Sequence, residues 1–107
     1  MTKRLYQLIL VAFILAIAPT AIAGDAAAGA LKAPLCMGCH GANGEGKAAA
    51  NGQPDFPALA GQIEGYFIKA TNDYKNDVRV DPLMSAISKG LTDDDIANLA
   101  AYYASLK

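Results

Sequence analysis

Apolar residues run unbroken from Leu8 to Ala18 ("LILVAFILAIA"), and no later segment repeats such a run. Lys3 and Arg4 precede it, Pro19 ends it, and Ala21-Ile22-Ala23 supplies the small-x-small pattern read by a signal peptidase. Eleven apolar residues fall short of the roughly 20 that a bilayer-spanning helix needs. Residues 1–23 therefore read as an export leader cleaved after Ala23, with an uncleaved anchor as the alternative. No cysteine follows the cut, which argues against a lipid anchor.

Beyond the leader the pattern turns helical. Asp25 to Ala33 ("DAAAGALKA") reads as a short helix, capped by Asp25 and carried by alanine, with Pro34 ending or kinking it. Gly41 to Pro57 is rich in Gly, Asn and Pro and reads as a long loop, of the kind that usually overlies a bound group. Ile63, Tyr66, Phe67, Ala70 and Tyr74 then recur at the spacing of one helix face. A second irregular stretch covers Lys75 to Pro82, and a short helix follows from about Leu83 to Lys89, stopped by Gly90. Thr92 and Asp95 form a capping box before a stripe of Ile96, Leu99, Tyr103 and Leu106, with Tyr102 beside it. No segment sustains strand alternation. The expected class is all-α, with three main helices and long loops.

Composition narrows the picture. The hydrophobic share of 53% owes much to the leader and to alanine. Without the leader, the nine basic residues lose Lys3 and Arg4, leaving seven against ten acidic ones, a net charge of −3. No basic run is present to neutralise a phosphate backbone, so nucleic acid is not an expected partner. Residues 24–107 form one small domain, and a chain this short usually needs a staple or a cofactor to complete its core.

The chemistry is concentrated in one place. Both cysteines and the only histidine stand in "CMGCHG", at Cys36, Cys39 and His40. A redox-active C-x-x-C normally opens a helix after a strand, and no strand pattern precedes Cys36. A disulfide closing so small a loop adds little stability, and structural zinc wants four sulfur or imidazole ligands where this chain has three. C-x-x-C-H is the pattern of covalent haem c attachment. Two sulfurs add across the two vinyl groups of the porphyrin, and the adjacent imidazole becomes one axial ligand of the iron. With no second histidine, the other ligand is sought among the methionines. Met37 lies inside the attachment loop and reads as a spacer. Met84, 44 residues beyond His40, has enough chain to reach the far face. It is the candidate axial ligand, with an open site or a lysine as alternatives. Both axial positions filled points to outer-sphere electron transfer rather than catalysis.

These residues resemble the small bacterial class I cytochromes c, single-haem electron carriers. "GDAAAG", "CMGCHG", "FPALAGQIEGYFIKA", the span Arg79 to Met84 and "LTDDDIANLAAYYASLK" stand in the family's usual order. The resemblance implies the class I fold, with helices and long loops wrapped around one covalent haem. It implies that the Pro57 carbonyl accepts a hydrogen bond from His40, and that Gly29 lets the last helix cross closely against Tyr102. Gln62, Tyr66 and Arg79 are implied contacts of the haem propionates. Two departures stand out: Pro34 interrupts a helix that usually reaches the motif, and Ala33 replaces a frequent aromatic. A shorter first helix, with weaker contact to the last, is expected.

The functional expectation is a periplasmic one-electron carrier, monomeric and not membrane-embedded. It would meet redox partners transiently through the exposed haem edge. The acidic balance points to a partner with a basic docking patch, but Lys69, Lys75, Arg79 and Lys89 flank the expected crevice and could make the docking face itself basic. The alternatives are a haem subunit of a larger oxidoreductase, a haem enzyme or gas sensor with an open iron site, and a thiol oxidoreductase.

Overall fold

Asp25 opens the first helix, as its spacing to the alanines predicts. In this computed structural model, which describes residues 24–48, 51 and 55–107, its carboxylate accepts from the amides of Ala27 at 2.9 Å and Ala28 at 3.3 Å. The leader expected over 1–23 lies outside the described residues. Helix α1 spans Ala26–Lys32, α2 Pro34–His40, α3 Glu64–Lys75, α4 Pro82–Lys89 and α5 Asp93–Ser105. Among the described residues the only β pairing is an isolated antiparallel bridge between Lys47 and Phe56.

The first helix does stop at Lys32, but Pro34 does not end the helical path. It starts α2, and the attachment motif from Cys36 to His40 is helical, so the described residues form five helices where three main ones and a short fourth were expected. Proline fits the first helical position, because the N–H it lacks would be unpaired there anyway. Gly41, at φ 93°, ends α2.

The crossing of α1 on α5 is the most extensive helix contact among the described residues. Ala33 is fully buried in the core, where its small side chain suits the close approach. Gly29 makes the crossing possible: a Cβ there would collide with the Asn98 carbonyl and stand 2.8 Å from Tyr102 Cβ. Gly29→Ala must pry α1 off α5, and we expect a loss of at least about 1–3 kcal/mol. The denaturant midpoint of the purified protein measures it.

At the start of α5 both halves of the capping box are made. Asp95 N–H donates to Thr92 Oγ1 at 3.1 Å, and Thr92 N–H donates to Asp95 Oδ2 at 3.0 Å. Ile96, Leu99, Ala100 and Tyr103 then pack with Ala33, Phe67 and Leu91 into the core. Helix α3 departs from expectation. Of its apolar stripe only Phe67 is buried; Ile63 is 76% and Tyr66 54% exposed. Four of the five stripe residues, Tyr66, Phe67, Ala70 and Tyr74, line a cleft beside the core. Periodicity identified the face but not what it faces.

Candidate functional site

The cleft has a volume of about 470 Å³, within the range of cofactor sites. One side is built by α2, which contributes Leu35, Cys36, Cys39 and His40. The segment 55–62, helix α3 and helix α4, with Met84, supply most of the rest, and Arg79, Asp81, Leu91 and Leu99 complete it. The four residues marked by the sequence thus open on one space, although α2 and α4 are not a closely packed pair.

His40 is buried and oriented. Its Nδ1–H donates to the Pro57 carbonyl at 2.6 Å, and since a carbonyl only accepts, the neutral ring keeps Nε2 as its bare nitrogen. Phe56 meets the imidazole edge-on at 6.4 Å, a wall that the sequence reading did not single out despite its place beside Pro57. The loop between Gly41 and Gln62 brings these residues in through backbone bonds. Gly46 N–H donates to the His40 carbonyl at 2.7 Å, and Leu59 and Ala60 N–H both donate to Gly44 O. Gly44, at φ 67°, lies against the Tyr103 ring, where any Cβ would come within 2.8 Å of Cε1. Lys47 Nζ donates to the Gly38 carbonyl at 2.9 Å and ties the loop to the end of α2.

Met84 is held from the helix start. Asp81 caps α4, accepting from Leu83 N–H at 2.9 Å and from Met84 N–H at 2.8 Å, with Pro82 in the first turn. Cys36 and Cys39 are unpaired and partly buried. Burial pushes the Cys36 thiol up, so it is held protonated rather than as a reactive thiolate. Among the described residues no three His, Cys, Asp or Glu side chains converge as a metal-ligand set of their own.

Gln62, Tyr66 and Arg79 all line the cleft, and the Arg79 guanidinium lies 4.7 Å over the Tyr74 ring. Met37 does not line it. It packs against the core, so it is more than a spacer: it anchors α2. The basic face is also corrected. Lys69 pairs with Asp73 at 2.6 Å, Lys89 with Asp77 at 2.8 Å, and Lys75 donates to the Leu91 carbonyl at 2.6 Å beside Asp93. Asp73, Asp77 and Asp93 beside these lysines offset their charge, and none of the three lysines lines the cleft. Among the described residues no helix is long and apolar enough to cross a membrane.

The chain can now be set beside known proteins. The cytochrome c family model matches residues 26–107. Cytochrome c4 of Pseudomonas aeruginosa is 43% identical over 107 residues, covering all of this chain and 50% of that protein. Cytochrome c-554(548) of Halomonas halodenitrificans is 42% identical over 86 residues, covering 78% of this chain and 98% of that one. A cytochrome c4 structure from Acidithiobacillus ferrooxidans superposes with a TM-score of 0.67 at 34% identity, covering 81% of this chain and 53% of that one. The chain therefore spans about half the length of the cytochromes c4 it matches, and nearly all of the shorter c-554(548). A haem fits the residues present. The cleft joins an apolar lining to two thiols, an oriented imidazole and a thioether, with Arg79 and Gln62 available to anionic groups. Leu35 and Leu83, 56% and 57% exposed in the cleft wall, are surfaces that such a ring would cover. The chain belongs to the cytochrome c family, with its class I fold and a covalently bound haem c.

Proposed function

We propose that this chain is a periplasmic one-electron carrier, exported by its N-terminal leader and working as a monomer between redox partners. What carries the reading is that Cys36, Cys39, His40 and Met84 line one cleft, with the imidazole oriented by Pro57. Haem c held there supplies a one-electron iron couple.

The chain's own residues determine what that couple is used for. Cys36 and Cys39 supply the two sulfurs of covalent attachment. His40 offers Nε2 as one axial donor, because its Nδ1–H is engaged by Pro57. Met84 offers its thioether as the other, a soft donor that favours the reduced metal. Its position is set by the Asp81 cap rather than by flexible loop. Gln62, Tyr66 and Arg79 are assigned to the propionates. Leu35, Phe67, Leu83 and Leu99 give the cleft an apolar wall. With His40 and Met84 both available to the iron, a bound haem would leave no position for a substrate, and the reading is a carrier rather than an enzyme. The partner meets it through a small transient interface at the cleft mouth. A haem subunit of a larger oxidoreductase is the second reading; stable co-purification with a catalytic chain would favour it.

The absorption spectrum tests the assignment. The exported protein should show sharp reduced bands that appear and vanish with reductant and oxidant. Carbon monoxide added to the reduced form at neutral pH should leave them unchanged. Immediate binding of carbon monoxide would show an open site and contradict the carrier reading.

A further inference from the structure

Two polar side-chain atoms among the described residues are sealed from solvent without a hydrogen-bond partner, Ser88 Oγ and Tyr103 Oη. Ser88 sits inside α4, where a short hydroxyl can turn back toward its own helix carbonyls. Tyr103 has no such local outlet, since its phenol oxygen lies a full ring away from its backbone. Leaving it unpaired costs the whole desolvation of the group.

The ring is locked in place. It stacks on Phe67 at 5.9 Å, meets Tyr102 edge-on at 5.0 Å and lies against Gly44. Its carbonyl accepts from Gly61 N–H at 2.8 Å, so backbone and ring are both pinned. Tyr103 is 1% exposed, and the Cys36 side chain packs against the same core. Burial, with Cys36 nearby, pushes the Tyr103 phenol up, and its Oη has no hydrogen-bond partner.

We propose that Tyr103 is a positioning residue of the haem attachment, its hydroxyl donating to the Cys36 sulfur once that sulfur is a thioether. In the attachment, Cys36 Sγ gains a bond to a vinyl carbon and its proton passes to the other vinyl carbon. The addition is redox-neutral. The sulfur keeps its lone pairs and loses its own donor, so it becomes an acceptor only, matched to an O–H that has nowhere else to donate. A donor on this sulfur draws electron density from the attached edge of the ring and favours the reduced iron. Tyr103 thereby adds to the potential set by His40 and Met84. The proposal rests on the haem-carrier reading. Were that reading to fail, the wild-type protein would itself lack haem bands; failure of the present proposal leaves them intact.

Tyr103→Phe removes the hydroxyl and keeps the ring stack. On the holoprotein we expect a lower midpoint potential and a lower denaturant midpoint, with a change in the carbon–sulfur modes of the resonance Raman spectrum. Tyr102→Phe, whose hydroxyl belongs to a ring that is only half-buried, should leave the potential where it is. A purely structural hydroxyl would move stability alone. An unchanged potential in Tyr103→Phe, or an equal shift in Tyr102→Phe, overturns the proposal.

Discussion

Replacing Cys36 and Cys39 together by alanine should leave a chain that retains no haem after denaturation and no cooperative fold. The reason lies in how little core the protein assembles by itself. Among the described residues the buried apolar set is Ala33, Phe67, Leu91, Ile96, Leu99, Ala100, Ala101 and Tyr103, and three of these eight are alanines. Beside this set is a cleft of about 470 Å³ whose walls, Leu35, Tyr66 and Leu83 among them, stay more than half exposed without a ring between them. Domains this small rarely hold together on such a core, and a bound group that completes it contributes folding free energy directly. We expect the variant to lose most of its helical signal in far-ultraviolet circular dichroism and to melt without a sharp transition. Retention of a cooperative melt would show that the five helices support one another without the haem.

The second large effect concerns Met84. Met84→Ala should keep the haem, because Cys36, Cys39 and His40 are untouched, while opening one axial position. The far-red band of the oxidised form should disappear, and carbon monoxide should bind the reduced form. The midpoint potential should fall by on the order of 0.1–0.3 V, part of the ~0.8 V range that axial ligands span. The variant should fold. Asp81 still caps α4 through the backbone amides of residues 83 and 84, which alanine preserves. An unchanged spectrum and potential would remove Met84 from the iron and direct attention to a lysine.

Much of this was legible in the sequence, for reasons that differ from element to element. The start of α5 was readable because a capping box is a local device, closed within four residues. The residues of the cleft were readable because their chemistry is rare in this chain: two cysteines, one histidine and one methionine outside the motif and leader. The His40–Pro57 contact and the Gly29 crossing came from family resemblance, since nothing local to either residue announces a contact 17 or 69 positions away. What stayed hidden was of two kinds. The periodicity of α3 marks an apolar face, but a face against a cofactor cleft has the same pattern as one against a core, and so Tyr66 turned out exposed in the cleft wall. Long-range pairing was equally silent. Charge along the chain suggested a basic rim until Asp73, Asp77 and Asp93 were seen beside the lysines. The approach of Tyr103 to Cys36, across 67 positions, has no signature in sequence at all. Pro34 was read for the helix it ends, which does stop at Lys32, and not for the one it begins, because proline does both.

Whether this chain carries single electrons is decided by a potentiometric titration followed through the visible bands. A lone iron couple gives one transition with a Nernst slope of about 59 mV per decade, whereas a dithiol–disulfide couple at Cys36 and Cys39 gives about 30 mV. We predict a single reversible wave of one-electron slope. A colourless protein titrating with the two-electron slope would contradict the account and return the C-x-x-C pair to thiol chemistry.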